Sequence, residues 1–236
     1  MALDVYVGSL TRYYAGDWEN IAEKTARERG APYQIARPGG SADRHKDPRN
    51  IGPAIEAWRS TLSASLGDNI ARPLDWDETV AAPYFTGRPG WDGFGSLVLW
   101  AAYAENPALR RPDILPEEWD NDPALMRSNV SGFRSRYSHL VRNVELWLPA
   151  PFEFTFEGED VDGRRVVVGS TMTLRRQLDE LNVATWKASA AVVGQWGREP
   201  PAEDTALELC ARYAFAILLD LSRAAVERRL PMKLDY

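Results

Sequence analysis

The most apolar long segment of the chain covers residues 203–229, and its hydrophobic positions recur at helical spacing on two sides. Leu207, Cys210, Ala214, Ile217, Leu221 and Ala225 form one stripe, while Leu209, Tyr213, Ala216, Leu219 and Val226 fill much of the other. A helix apolar on both sides is one buried nearly all round. Asp204 is placed to cap its start, and Arg228, Arg229 and Pro231 supply a basic last turn and a stop. The pattern predicts a central helix around which the other elements pack.

Elsewhere the period changes along the chain. Residues 3–10 alternate, with Leu3, Val5 and Val7 against Asp4 and Tyr6, which predicts a half-buried strand. Residues 8–17 read as a turn, after which Asp17 caps a helix bearing Trp18, Ile21, Ala22 and Thr25 and ending at Gly30. Residues 32–36 suit a short strand and 37–50 a polar surface loop. Ile51, Ile55, Trp58, Leu62 and Leu66 then mark a helix capped by Asn50 and stopped by Gly67. Residues 68–92 are irregular, with Asp75, Asp77 and Glu78 knotted around Trp76, and lead into a second buried helix over 94–104. Phe133, Tyr137, Leu140 and Val141 space a further helix across 130–141, with a basic polar face. Phe152, Phe154 and Phe156 alternate with polar residues, Val166 to Val168 answer them, and Asp162-Gly163 between them suits a type I′ hairpin turn. Thr171 or Thr173 opens a helix carrying Leu174, Leu178 and Leu181, residues 186–196 suit another, and 194–201 form a linker. The sum is an α+β fold: a predominantly helical single domain over residues 1–236, with a small, largely antiparallel sheet and a buried C-terminal helix. Any weak subdivision falls in the Pro-rich connection at 107–130.

Composition narrows the function. In 236 residues, 28 Lys and Arg stand against 34 Asp and Glu, a formal charge of −6 that disfavours general nucleic-acid binding. A single cysteine, Cys210, excludes an intrachain disulfide framework, and its place inside the apolar run marks it as a buried, inert thiol. The first ten residues alternate and include Asp4, unlike a secretion signal, and no apolar run is of membrane-spanning length without a charge. These features predict a soluble cytoplasmic protein with neither a nucleic-acid nor a membrane partner.

Chemistry-bearing motifs are sparse. The two histidines, His45 and His139, have no metal-ligand spacing around them, and nucleophile elbows and phosphate loops are absent. No cofactor and no metal is implied. Residues 84–95 concentrate what a pocket needs: four glycines, aromatic faces, Arg88 to clamp an anion, Tyr84 or Trp91 to stack on a planar group, and Asp92 to cap the next helix or line the site. A second candidate lies just beyond the first strand, where Ser9, Thr11, Arg12, Tyr13 and Tyr14 gather. Arg127, Arg134, Arg136, His139 and Arg142 form a basic face, and Glu153, Glu157, Glu159, Asp160 and Asp162 an acidic hairpin; both read first as solvated surfaces. Aromatics and arginines are plentiful whereas proton-transfer and metal residues are scarce. This favours a non-catalytic binding protein with a protein partner, for example an inhibitor or immunity-type protein against an effector. The alternative is an enzyme or ligand-binding protein for a small anionic or planar molecule, with Arg88, Tyr84, Trp91 and the acids at 75–78 in its pocket. A scaffold is a third reading.

Overall fold

Alternation in the first strand sends Leu3, Val5 and Val7 to one face of a sheet and Asp4 and Tyr6 to the other. The computed structural model describes residues 3–31, 48–202 and 205–236. Among these, six strands form one sheet: β1 (Asp4–Val7), β2 (Phe85–Gly87), β3 (Val144–Leu148), β4 (Phe156–Glu159), β5 (Arg165–Ser170) and β6 (Met232–Asp235), in the order β2-β1-β6-β3-β5-β4. The helices are α1 (Leu10–Ala15), α2 (Ile21–Glu28), α3 (Pro48–Leu66), α4 (Gly90–Glu105), α5 (Pro123–Ser128), α6 (Ser138–Val141), α7 (Thr171–Ala184), α8 (Ala190–Trp196) and α9 (Leu207–Arg228).

The expectation of a small, largely antiparallel sheet is overturned. The sheet has six strands and is mixed, because β3 and β5 run parallel, and helices make up about half of the chain. Parallel central strands are buried on both faces and read as continuous apolar runs rather than alternations. In β3, Leu146 packs on one side of the sheet and Val144 and Trp147 on the other. The strand β6, missed because it spans only four residues and two of them are charged, sits between β1 and β3 at the centre of the sheet.

Helices cover both faces. On one side α4, α7 and α9 bury Leu97, Leu99, Leu178, Ala214, Phe215 and Leu218 against Val5, Val7 and Met232. Trp186 stacks on Trp100 at 5.1 Å and meets Trp196 and Phe215 edge-on, extending this layer. On the other side α1 and α3 place Leu10, Ile51 and Ile55 over Leu146, Leu148, Val166 and Val168.

Several local expectations change. Residues 8–17 are not a turn: Ser9 caps α1 by accepting from the Arg12 amide, and Gly16 closes it at φ 69°. The next helix is capped by Asn20 rather than Asp17, through a reciprocal pair with Glu23. The helix expected across 130–141 is broken. α5 ends at Ser128 with Asn129 as its cap, Gly132 turns the chain at φ 85°, and α6 begins at Ser138, so Arg127, Arg134, Arg136 and Arg142 share no helical face. Phe152 and Phe154 precede β4 and only Phe156 lies in it. The hairpin turn at Asp162-Gly163 is present but is not type I′. The Gly163 amide bonds the Asp160 carbonyl (2.9 Å), and of the two turn residues Gly163 has positive φ (75°), which is a type I turn closed by a left-handed glycine. Asp204, the strand expected at 32–36 and the loop containing His45 lie outside the described residues.

Candidate functional site

The stretch at 84–95 is divided between an edge strand and a helix. Two of its glycines serve close packing: a Cβ on Gly87 would fall 2.6 Å from Ile217 Cγ2, and one on Gly95 2.7 Å from the Trp119 ring. β2 therefore rests directly on α9, and α4 starts two residues earlier than Asp92, which lies in its first turn instead of capping it. The Tyr213 hydroxyl donates to the Arg88 carbonyl (3.1 Å) and ties α9 to the turn.

These contacts leave a cleft of about 1010 Å3. It is lined by Trp91 and Asp92, by Tyr213, Ile217 and Asp220 of α9, and by residues from 114–119 and 197–202, Ile114, Trp119, Pro200 and Pro201 among them. Asp92, Glu117 and Asp220 are exposed at the rim, as is Arg198. Arg88 also borders the cleft, but its guanidinium grips Asp4: Nε donates to Oδ1 (2.9 Å), and Nη2 to Oδ2 (2.7 Å) and toward Asn20 Oδ1 (3.4 Å). Asp4 is 3% exposed, so this bidentate pair neutralises a buried carboxylate and pins β2 to β1. Cys210 lies at the cleft wall with its thiol pushed up, chiefly by burial and then by the Asp92 charge, which keeps it in the unreactive form.

The residues singled out in the sequence fall into two groups. Arg88, Trp91 and Asp92 border the cleft. Tyr84 joins Arg12 and Tyr13 instead: the Arg12 guanidinium sits 5.0 Å from the Tyr84 ring, and Tyr6 lies between Tyr84 and Tyr13 at 6.2 and 5.3 Å. That second group is packed and hydrogen-bonded. Arg12 donates to the Ala82 (2.8 Å) and Val80 carbonyls, and Glu78 accepts the Leu10 and Thr11 amides at the head of α1. Glu78, read as part of an acidic knot, is thus a helix cap. Tyr13 donates to Asp235 (2.9 Å), and Tyr14 hydrogen-bonds Asp160, which pairs with Lys233. Burial raises the Tyr6 and Tyr14 hydroxyls and lowers the Lys233 ammonium.

No family model matches the chain, and no curated protein or solved structure is similar to it. The geometry must carry the functional argument. Among the described residues no group of three His, Cys, Asp or Glu side chains converges to hold a metal ion, and no helix is long and apolar enough to cross a membrane. The walls at 114–119 and 197–202 were not singled out in the sequence; their signal was the proline content beside exposed apolar residues such as Ile114.

His139 lies in the core, away from the cleft. It is fully buried, its amide donates to Gln177 (2.8 Å), and its Nδ1 meets Ser138 Oγ (3.2 Å). Burial, then the charges of Arg176 and Arg142, lowers its pKa from 6.5 to about 4. The unfolded chain takes up this proton near pH 6.5 and the folded chain does not until about pH 4, so stability is full above the first value and falls as pH drops toward the second. The loss amounts to about 3 kcal/mol. In urea titrations the difference in stability between about pH 7 and about pH 4 should shrink by that amount in His139→Gln; an unchanged difference contradicts the assignment.

Proposed function

We propose that the protein is a non-catalytic cytoplasmic binding protein, of the inhibitor or immunity type, whose cleft between Trp91 and α9 receives a basic, apolar segment of a protein partner. The observation that supports this is the pairing of apolar walls with an acidic rim. Trp91, Ile114, Trp119, Ile217 and the prolines offer apolar contact, while Asp92, Glu117 and Asp220 outnumber Arg198 at the mouth. Arg88 adds little positive field, because Asp4 offsets it. Aromatic anchors within a charged rim suit a protein interface. The alternative, a small anionic or planar ligand clamped by Arg88, has less support: the forked face of Arg88 is taken by Asp4, and Tyr84 packs with Arg12 rather than beside Trp91.

A hexapeptide alternating Lys and Val, blocked at both ends, tests the reading by calorimetric titration. The double variant Asp92→Lys with Asp220→Lys should weaken binding at least about tenfold at low salt, with the gap closing as ionic strength rises, because exposed charges are screened. Melting should be unchanged, since both side chains are exposed. Affinity within about twofold of the parent would sink the proposal. Binding of benzoate that disappears in Arg88→Ala would favour the alternative.

A further inference from the structure

The outward face of α7 is complementary to itself. Leu174, Gln177, Leu178 and Leu181 bury one side of this helix against α9, α6 and the sheet. On the opposite side Met172, Arg175, Arg176, Asp179, Glu180 and Val183 follow one another at helical spacing and form a single stripe. Arg176, Asp179 and Val183 are exposed, the valine by 69%, and the other three are half-buried. Two rows of ion pairs run along the stripe. Arg175 Nε donates to Asp179 Oδ2 (3.0 Å) in one row, and Arg176 Nη1 donates to Glu180 Oε1 (2.8 Å) in the other, where Arg176 also reaches Glu153. Together with Arg136 the six side chains line an open groove of about 530 Å3.

Charge order and register both point to a second copy of the chain as the occupant of this groove. Along α7 the arginines precede the acids, which is the order the helix dipole disfavours for pairs four residues apart. An antiparallel helix laid on the stripe reverses that disadvantage, because its acids come level with these arginines and its dipole opposes this one. A two-fold axis crossing the stripe midway between the levels of residues 177 and 178 sets Met172 level with Val183 of the second copy. Such an axis also keeps each edge of the stripe beside the same edge of the other helix. Arg175 then lies within about 1.5 Å along the helix of Asp179 of the second copy on one edge, and Arg176 equally close in level to Glu180 on the other. Every charge meets its opposite, and the apolar ends meet each other. A parallel pair would level arginine with arginine and acid with acid.

We infer that the chain forms an antiparallel two-fold dimer through α7. None of the six side chains lines the cleft, so the dimer does not rest on the reading of the cleft given above. The stripe is only about 17 Å long, less than a standard interface covers, and the dimer is therefore weak, with Kd on the order of 100 μM.

Sedimentation equilibrium at up to about 1 mM protein should show monomer and dimer in exchange. Arg175→Glu with Arg176→Glu makes the charges of the stripe wholly acidic, and Asp179→Lys with Glu180→Lys makes them wholly basic. Each double variant alone should dimerise at least about tenfold more weakly than the parent. Mixed in equal amounts they should associate at least as tightly as the parent, a rescue that a role confined to the fold of one chain does not give. Register is read by cross-linking: Met172→Cys with Val183→Cys should give a disulfide-linked dimer on mild oxidation, whereas either single substitution should not. Cys210 is buried, and the parent protein supplies the background. If a charge variant does not fold, the cross-linking decides. A parent that stays monomeric at about 1 mM, a mixture no tighter than its components, or a dimer linked by either single cysteine variant overturns the inference.

Discussion

Asp160→Ala should destabilise the protein by about 3 to 5 kcal/mol, the cost of breaking a buried ion pair by removing one partner. Lys233 is 2% and Asp160 5% exposed, and the ammonium lies 3.3 Å from Oδ2. The carboxylate also accepts the amides of Asp162 (3.1 Å) and Arg164 (3.0 Å), fixing the hairpin turn, and it meets the Tyr14 hydroxyl. Alanine strands the Lys233 charge among Tyr13 and the sheet with its closest counter-charge gone. Lys233→Met leaves the Asp160 carboxylate with the Asp162 and Arg164 amides and with the Arg164 guanidinium at 3.8 Å, and should cost less. Urea unfolding of the two single variants and the double variant measures the coupling. A loss below about 1 kcal/mol in Asp160→Ala would show that water or the Glu145 carboxylate takes over as partner of the ammonium.

Leu218→Ala ranks next, with an expected loss of roughly 2 to 5 kcal/mol from lost transfer free energy and the cavity left behind. Leu218 is fully buried on α9 among residues of the layer shared with α4 and the sheet. Neighbours fixed by Ala214 and Phe215 on the same helix leave little freedom for collapse. Equilibrium unfolding checks the value, and a loss near zero would remove this turn of α9 from the core.

How much of this was visible in the sequence depends on whether the signal was local. α9 was legible because its stabilisation comes from a long apolar periodicity, and α3 and α4 for the same reason. β6 was not, since Lys233 and Asp235 look like solvent residues until Asp160 and Tyr13, far away in the chain, are placed beside them. The helix expected over 130–141 had the right spacing but also Gly132, and a positive φ at that residue decided against continuity. Parallel pairing of β3 with β5 is a long-range choice that neither strand encodes. For the site, the glycines and aromatics at 84–95 marked one wall of the cleft. Ile217 and Leu221 of one predicted stripe and Tyr213 of the other were read as core, although Tyr213 and Ile217 are only partly buried and all three line the cleft. Arg88 looked like an anion clamp because Asp4, its partner across the β1–β2 ladder, lies at the other end of the segment that the fold brings together.

The most direct measurement is a map of backbone amide shifts in the isotope-labelled protein as the blocked Lys/Val hexapeptide is added. The account predicts perturbations concentrated at Thr86, Trp91, Asp92, Tyr213, Ile217 and Asp220, and none comparable when Glu replaces Lys in the peptide. Shifts gathered elsewhere, or the same map from the Glu/Val peptide, would contradict it.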